Sequence, residues 1–522
     1  MKTQTIVIVG GGSSGWMTAT TLVSQFPDKR ITLIESPRIG TVGVGESTVG
    51  GINDWLRLVG INDYDFMRDC DATYKLSIRF DNFYRKDSGF FHYPFGRPFV
   101  EGNRSETNDW FLKKILHPDT PVSDYADCFY SNMALVNQNK VFKNEDGRLP
   151  NFNFLTDTAY QFDATKFGLW LKEKYCLPKG VHHILSEVEE VIKNEDGIEY
   201  LLLQDGKQIR ADLFIDCTGF KALLIDKTLN EPFESWEDIL PNNSAWATRI
   251  PYEDKEKELV TYTNCEAIGN GWVWNIPLWS RMGCGYVYSD KFISDDDALK
   301  EFQEHISRED LEFKKLKMRI GFHKKVWVKN VCAIGLSAGF IEPLESTGLM
   351  LTHEGLFYLT RVLQRDYCSQ WDRDEFTTMC KYDYRRMAEF VSLHFALSHR
   401  DDTEYWKDIQ GREWCERMVN LESTLSEGFS SAVFNRNVHF RLWSDISPYI
   451  TGNGGIHCIA TGMHWFPTDE PTLRYYNADR YDIIEDSFRK DVKVLEERKK
   501  EWNIAVNDCE SHHQFLKRTI YT

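Results

Sequence analysis

The 522-residue sequence has no Cys-x-x-Cys pair among its twelve cysteines, which occur singly from Cys70 to Cys509. A disulfide framework or a zinc ribbon would need tighter spacing, so free thiols in a reducing cytoplasm are expected. The fourteen histidines form neither His-x-x-x-His nor His-Glu-x-x-His, and no metal is expected. No stretch approaches the roughly 18–20 consecutive apolar residues of a membrane span. The opening MKTQTIVIVG lacks the basic flank, long apolar run and cleavage site of a signal peptide. Positive charge is short as well: 62 Lys and Arg stand against 79 Asp and Glu, and the net charge of −17 argues against nucleic acid or an anionic membrane as partner. Neither a repeat nor a low-complexity linker is visible.

What is present is ample apolar material, 42% of residues, in a chain long enough for two or three lobes. TIVIV at 5–9 is a compact β-branched run of the kind found in buried parallel strands. A tight turn from Gly10 to Gly15, a helix over 16–25 and a second strand, ITLIE at 31–35, complete a βαβ unit. Residues 80–150, rich in Phe, Tyr, Asn and Gly, read as strands and loops of another lobe. Strand patterns return at 184–192, 198–204, 209–216 and 326–335, and a helix is expected to begin near Ser346. From about 353 the pattern is mainly helical, and a stripe of Ile483, Ile484, Phe488, Val492 and Leu495 reads as the packed side of a surface helix. Residues 1–365 are accordingly expected to form one module, mainly 1–80, 150–225 and 325–365, interleaved with segments of a second lobe at about 81–149 and 226–324; 366–522 would be a mainly helical region.

The module follows from Gly10-x-Gly12-x-x-Gly15, placed between strand and helix where its mechanics work. Gly10 permits the turn, Gly12 lets a pyrophosphate approach the backbone, and Gly15 allows close helix–strand packing. The helix start supplies free N–H groups for the anion. Glu35, ending the second strand, is placed for a ribose hydroxyl. A glycine-rich turn with no ligand is the plainer alternative. Later strand ends, at Asp216 with its Thr218-Gly219 turn and at Ile334-Gly335, suit a long dinucleotide such as FAD. No second glycine fingerprint has a βαβ context, so reducing equivalents are expected from outside.

GWVWNIPL at 271–278 poses a different question. Alternation in a strand sends Trp272 and Trp274 to one face, and Pro277 ends the ladder. Core packing alone would also place two indoles there. With GGGSSGWMTA at 10–19, GVGEST at 43–48, DATYKLSIRF at 71–80, AYQFDATKFGLWL at 159–171, ADLFIDCTGF at 211–220, AIGLSAGFIEPLESTGL at 333–349 and HFALSHRDDTEYW at 394–406, the chain resembles the flavin-dependent halogenases of the tryptophan-halogenase-like family. A viral or otherwise divergent member is expected.

That resemblance implies an α/β, Rossmann-like FAD-binding flavoprotein monooxygenase/halogenase fold. It implies reduced FAD (FADH2) delivered by a separate flavin reductase, O2, and a halide (chloride, bromide or iodide) that becomes hypohalous acid. Trp272 and Trp274 resemble the barrier between flavin and substrate. Lys75 resembles the essential lysine that guides the electrophile, and Glu345 the carboxylate opposite it. Thr347 and Gly348 are the implied halide site, with Leu336 and Leu349 flanking the flavin. Gly45, Glu46 and Ser47 resemble the strap over its ring; Ser13, Ser14, Ser36, Val188, Asp216 and Gly219 complete the expected cofactor set. For the substrate, Ile456-His457 stands before Cys458 where tryptophan-specific members carry an aromatic pair, and Tyr475-Tyr476 comes later in another context. Free tryptophan is therefore not the expected substrate. His92, Tyr93 and Phe95 are read as stacking faces for an electron-rich arene. A hydroxylating flavin monooxygenase and a non-catalytic FAD-binding protein remain alternatives, and the C-terminal helices either complete the fold or join a homo-oligomer.

Overall fold

The apolar run at the start of the chain becomes the strand Thr5–Val9, almost wholly buried. In this computed structural model, which describes residues 1–38, 45–99, 109–143, 147–365, 367–410, 412, 454–465 and 481–522, that strand lies within a six-stranded sheet. The order is Trp327–Val328, Val331–Ala333, Leu213–Asp216, Thr5–Val9, Arg30–Glu35, His182–Leu185. Every pairing is parallel except the outermost hairpin, 327–328 with 331–333. The connecting helix starts at Ser13, earlier than the pattern suggested, and runs to Gln25. The carboxyl ends of the central strands thus converge on the glycine turn, where such sheets bind ligands.

A second sheet has seven strands, ordered Lys314–Lys317, Ser244–Ile250, Met282–Tyr288, Gly271–Pro277, Tyr262–Ile268, Ser77–Asp81, Phe90–Pro94. It is antiparallel apart from the pairing of 262–268 with 77–81. The tryptophan strand, near its middle, has six of seven residues buried. A small third sheet links three distant segments. Ala159–Phe162 pairs on one side with Glu46–Ser47 and on the other with Thr73–Lys75. This sheet holds Lys75 at a fixed spacing from the 46–47 segment.

Residues 109–137 differ from the strands and loops expected there. They form helices Asp109–Leu116, Asp124–Phe129 and Met133–Asn137. At eight, six and five residues, these carry too few turns to set up a 3.6-residue pattern. Beyond 353 the described segments are mainly helical, although Tyr367 forms an antiparallel bridge with Lys2 and Glu510–Ser511 pairs with Lys140–Val141. In helix Tyr481–Ala505, Val492 and Leu495 are buried; the side chains of Ile483, Ile484 and Phe488, like residues Tyr475 and Tyr476, lie outside the described residues. No helix among the described residues is long and apolar enough to cross a membrane.

Candidate active site

A cavity of about 510 Å³ lies between the two large sheets. The glycine turn contributes Gly10, Gly12, Ser13 and Ser14 to its wall, and the neighbouring strand end contributes Glu35 and Ser36. Val188, Gly219, Leu336 and Leu349 line it, as do Gly45, Glu46 and Ser47. From the seven-stranded sheet come Trp272, Trp274, Thr263 and Cys265.

Its residues fit a flavin dinucleotide. Helix Ser13–Gln25 begins at Gly12 with no side-chain cap, which leaves its first N–H groups free for an anion. Gly10 has φ +117°, and a Cβ there would meet the Cys217 carbonyl oxygen at 2.2 Å. Cβ atoms built on Gly219 and Gly348 would meet nothing within 4 Å, so both leave open space at the wall. Glu35 is held from the side: its Oε2 faces Lys172 Nζ at 2.9 Å and His183 Nε2 at 2.8 Å. Ser36 donates its hydroxyl to Glu187. Burial pushes the Glu46 carboxyl up to about 7.

Two expected cofactor residues are not on the wall. Gly15 faces the turn instead, where a Cβ would lie 1.9 Å from the Gly10 oxygen. Asp216 is fully buried and accepts from the backbone N–H groups of Thr218, Leu224 and Ile225 and from the hydroxyls of Thr218 and Ser337. With its oxygens so occupied, it shapes the turn that presents Gly219 to the cavity.

The two tryptophans share a face, with ring centroids 6.1 Å apart. Both indole N–H groups are buried without a hydrogen-bond partner, so the rings act by bulk. The Trp274 ring covers its cross-strand neighbour Gly285, whose Cβ would meet it at 2.1 Å. Gly285→Ala is therefore expected to lower stability by about 1–3 kcal/mol through overpacking. Thermal unfolding reads this; an unchanged Tm would mean the ring has room to move.

Lys75 is fully buried beside this cavity. Its Nζ donates to the Thr48 carbonyl at 3.0 Å and to Ser346 Oγ at 2.8 Å, and stands 5.1 Å from the Phe95 ring centre. Loss of water pushes the amine down to about 7, although Cys265 and Glu345 pull the other way. Ser346, at φ 58°, begins helix Thr347–Leu363, and its side chain does not cap that helix. It lines the cavity together with Gly348. Thr347 does not; it is buried with Oγ1 unpartnered. Glu345, also buried, ends the short turn Pro343–Glu345, and its Oε1 lies 2.8 Å from His394 Nε2.

The three substrate candidates separate, because alternation in Phe90–Pro94 divides them. Phe95 reaches Lys75, and Tyr93 packs edge-on against Phe95 and Phe390. His92 points the other way, with Nδ1 3.0 Å from Ser77 Oγ and its ring against Phe90 and Tyr262. Burial pushes it down to about 3, so it stays neutral. It is not part of a stack with the other two. Ile456 and His457 are buried in helix Gly454–Gly462, which packs against the Phe90–Pro94 strand. Sequence reasoning missed Thr48, Cys265 and His394, and used Ser346 only to mark a helix start. His394 opens a quoted motif, but nothing in its spacing points to Glu345.

The profile of the tryptophan halogenases matches residues 5–447. The chain belongs to the tryptophan halogenase family. Its relatives include the 7-chloro-L-tryptophan 6-halogenase KtzR of Kutzneria sp. (strain 744), 35% identical over 433 residues, 78% of this chain and 82% of KtzR. The apo structure of VirX1 superposes with a TM-score of 0.87 at 38% identity, covering 100% of this chain and 99% of that one. The tryptophan 6-halogenase SttH of Streptomyces toxytricini gives 0.84 at 29%, covering 98% and 99%. Other solved neighbours are named flavin-dependent halogenases. The fold is thus the Rossmann-like flavoprotein halogenase fold, and this tryptophan halogenase family member is an enzyme, an oxidoreductase.

Proposed function

We propose that the protein is an FADH2-dependent halogenase, working in the cytoplasm with a separate flavin reductase, that uses O2 and a halide to halogenate a small electron-rich aromatic substrate. When bound, the reduced flavin with oxygen supplies the oxidising power that turns halide into hypohalous acid. The uncapped start of helix Ser13–Gln25 would hold the pyrophosphate and Glu35 a ribose hydroxyl. Trp272 and Trp274 keep the arene from the flavin side, and the Gly348 backbone at a helix start would receive the halide. Lys75 takes or orients the electrophile, and Glu345 handles the proton displaced from the ring.

The observation that carries this reading is the buried Lys75 amine, pushed down to about 7 and tied through Ser346 to the wall of a cavity whose lining suits a flavin dinucleotide. The named activities of relatives support the halogenation. Their tryptophan is not carried over, because Ile456 and His457 offer no aromatic pair.

The test uses purified protein, FAD, an unrelated NADH-dependent flavin reductase, oxygen and catalase. Phenols, indoles and anilines are offered with chloride, bromide and iodide in separate tubes, and products are read by mass. Halogenated product that vanishes in Lys75→Ala supports the proposal. Oxygenated product alone would make the protein a monooxygenase, and bound FAD with no product a binding protein. Bromide and iodide, being easier to oxidise, are expected to turn over at least as well as chloride; turnover with chloride alone refutes that.

The lysine also fixes a pH dependence. Only the free amine can accept a halogen, so kcat should rise through about pH 7 and gain roughly tenfold between about pH 6 and about pH 8. Stability moves the same way. The unfolded chain keeps its lysine protonated to higher pH, so it binds more protons than the native state above about 7, and unfolding free energy rises there. A rate that falls across this range would instead assign the work to the ammonium form.

A further inference from the structure

The strand that carries Lys75 is an edge strand. Thr73–Lys75 lies last in the small three-stranded sheet, with Ala159–Phe162 as its partner on one side. Alternation turns the Tyr74 N–H away from that partner, toward a side where a short strand is otherwise free to shift. A residue 438 positions away meets it there: the Tyr74 N–H donates to His512 Nε2 at 3.2 Å. Two residues on from Tyr74, the Leu76 N–H donates to the Thr261 carbonyl at 2.7 Å. Because Nε2 accepts, the imidazole hydrogen sits on Nδ1, which faces the Leu259 carbonyl oxygen at 3.1 Å. Burial pushes His512 down to about 4, so the ring is neutral with both nitrogens engaged.

His512 is itself tied down. It begins helix His512–Thr519, its own N–H donates to the Asn139 carbonyl at 2.9 Å, and Glu510–Ser511 just before it pairs with Lys140–Val141. After the helix the chain closes on the turn that leads into the lysine strand. The Tyr521 hydroxyl stands 2.8 Å from the Ala72 carbonyl oxygen and 3.1 Å from that of Met67, and Arg68 Nε donates to the Ile520 carbonyl at 2.8 Å. That turn holds Asp71 at φ 59°, a left-handed conformation that costs energy in a residue other than glycine and needs support. The same segment reaches the end of the tryptophan strand. The Tyr521 ring stacks on Trp279, with centroids 4.0 Å apart and planes at 5°. The Trp279 N–H donates to the Asp71 carbonyl at 3.0 Å, and the Thr73 hydroxyl to the Pro277 carbonyl at 2.6 Å.

We propose that His512 is a positioning residue for Lys75: by accepting from Tyr74 it fixes the open edge of the lysine strand, and segment 510–522 thereby keeps the amine in register with the Trp272–Trp274 wall. This rests on the halogenase reading above. His512 does not line the flavin cavity, so it acts through the backbone of the strand. A displacement of about 1 Å in a group that must meet both electrophile and arene costs up to about 100-fold in rate. A freed Tyr74 N–H also draws water toward an amine whose proton affinity is low because water is excluded. Among the described residues, the titratable groups facing Lys75 are Cys265, on strand Tyr262–Ile268, and Glu345, on the turn Pro343–Glu345.

Two measurements test this, on the full chain and at a temperature where every variant is folded. First, kcat, KM and FAD affinity are measured with whichever of the phenols, indoles and anilines gives most product. His512→Leu, which removes the acceptor, should lose about 30-fold in kcat with KM and FAD affinity within about twofold of wild type. His512→Gln, whose amide oxygen can accept from Tyr74, should recover most of the rate, and Tyr521→Phe should lose kcat in the same direction by less. Phe376→Leu is the control for lost stability alone: it thins the packing on Trp327 at the edge of the six-stranded sheet, and should lower Tm while kcat holds. Second, carbon-13 NMR of protein labelled at lysine Cε follows the Lys75 titration without turnover, the signal being assigned by its loss in Lys75→Met. Its midpoint, about 7 in wild type, should move up in His512→Leu and return in His512→Gln. Equal kcat in wild type, His512→Leu and Tyr521→Phe would overturn the proposal. So would a His512→Gln as slow as His512→Leu, a Phe376→Leu that loses as much kcat, or an unmoved Lys75 midpoint. If His512→Leu fails to fold, Tyr521→Phe carries both arms. If wild type gives no halogenated product, the halogenase reading fails and the NMR arm alone decides whether His512 positions the amine.

Discussion

Lys75→Ala is expected to lower halogenation by about 10³-fold or more while leaving FAD affinity within about twofold of wild type. The asymmetry follows from where the side chain sits. Lys75 does not line the flavin cavity, so removing it takes no contact from the dinucleotide. It is, however, the buried amine that faces Glu345 and Ser346 from the small sheet. Lys75→Arg should not rescue. A guanidinium is larger, stays charged at any working pH and offers no free base, and burying that charge adds a cost the lysine avoids by losing its proton. Lys75→Met keeps the stem and the packing, so it separates chemistry from folding: its Tm should match or exceed that of wild type, because a buried charge below about pH 7 is gone. Products are read by mass with catalase present, and FAD binding by flavin fluorescence. Halogenation surviving in Lys75→Met at more than a tenth of the wild-type rate would remove the lysine from the mechanism.

What could be read from the sequence was what local pattern encodes. The βαβ unit announces itself because strand, glycine turn, helix and second strand follow one another, each signalling its own geometry. The tryptophan wall was legible because a period of two needs only two positions. The same rule, applied to Phe90–Pro94, puts His92 on the face opposite Tyr93, so that misassignment was avoidable. The link between Lys75 and the cavity was not legible. It depends on a sheet whose strands are two, four and three residues long, drawn from 46–47, 159–162 and 73–75, and strands so short leave no pattern of their own. Asp216 misled for another reason. An acid at a strand end looks like a ligand group until its neighbours are known, and here five donors from the following turn and from Ser337 already occupy it. His394 meets Glu345 only because a 27-residue helix brings it back across the site.

Gly15→Ala is expected to lower FAD affinity by about 100-fold and stability by up to about 3 kcal/mol. The added Cβ would fall 1.9 Å from the Gly10 carbonyl oxygen, a backbone atom that cannot rotate aside. Either the helix lifts off the sheet or the turn shifts, and both move the free N–H groups at Ser13 away from the position that an anion requires. The helix itself gains from alanine, by roughly 1 kcal/mol in an unstrained interior, so the sign depends entirely on the contact. Gly168, in helix Ala164–Trp170, supplies the control. Its Cβ would meet Trp16 at 3.8 Å and the Ser13 nitrogen at 4.0 Å, which is ordinary contact. Gly168→Ala should therefore hold or slightly raise Tm with FAD affinity retained, while Gly15→Ala loses both. Equal behaviour of the two variants in thermal unfolding and flavin titration would show that helix–turn contact does not set the cofactor site.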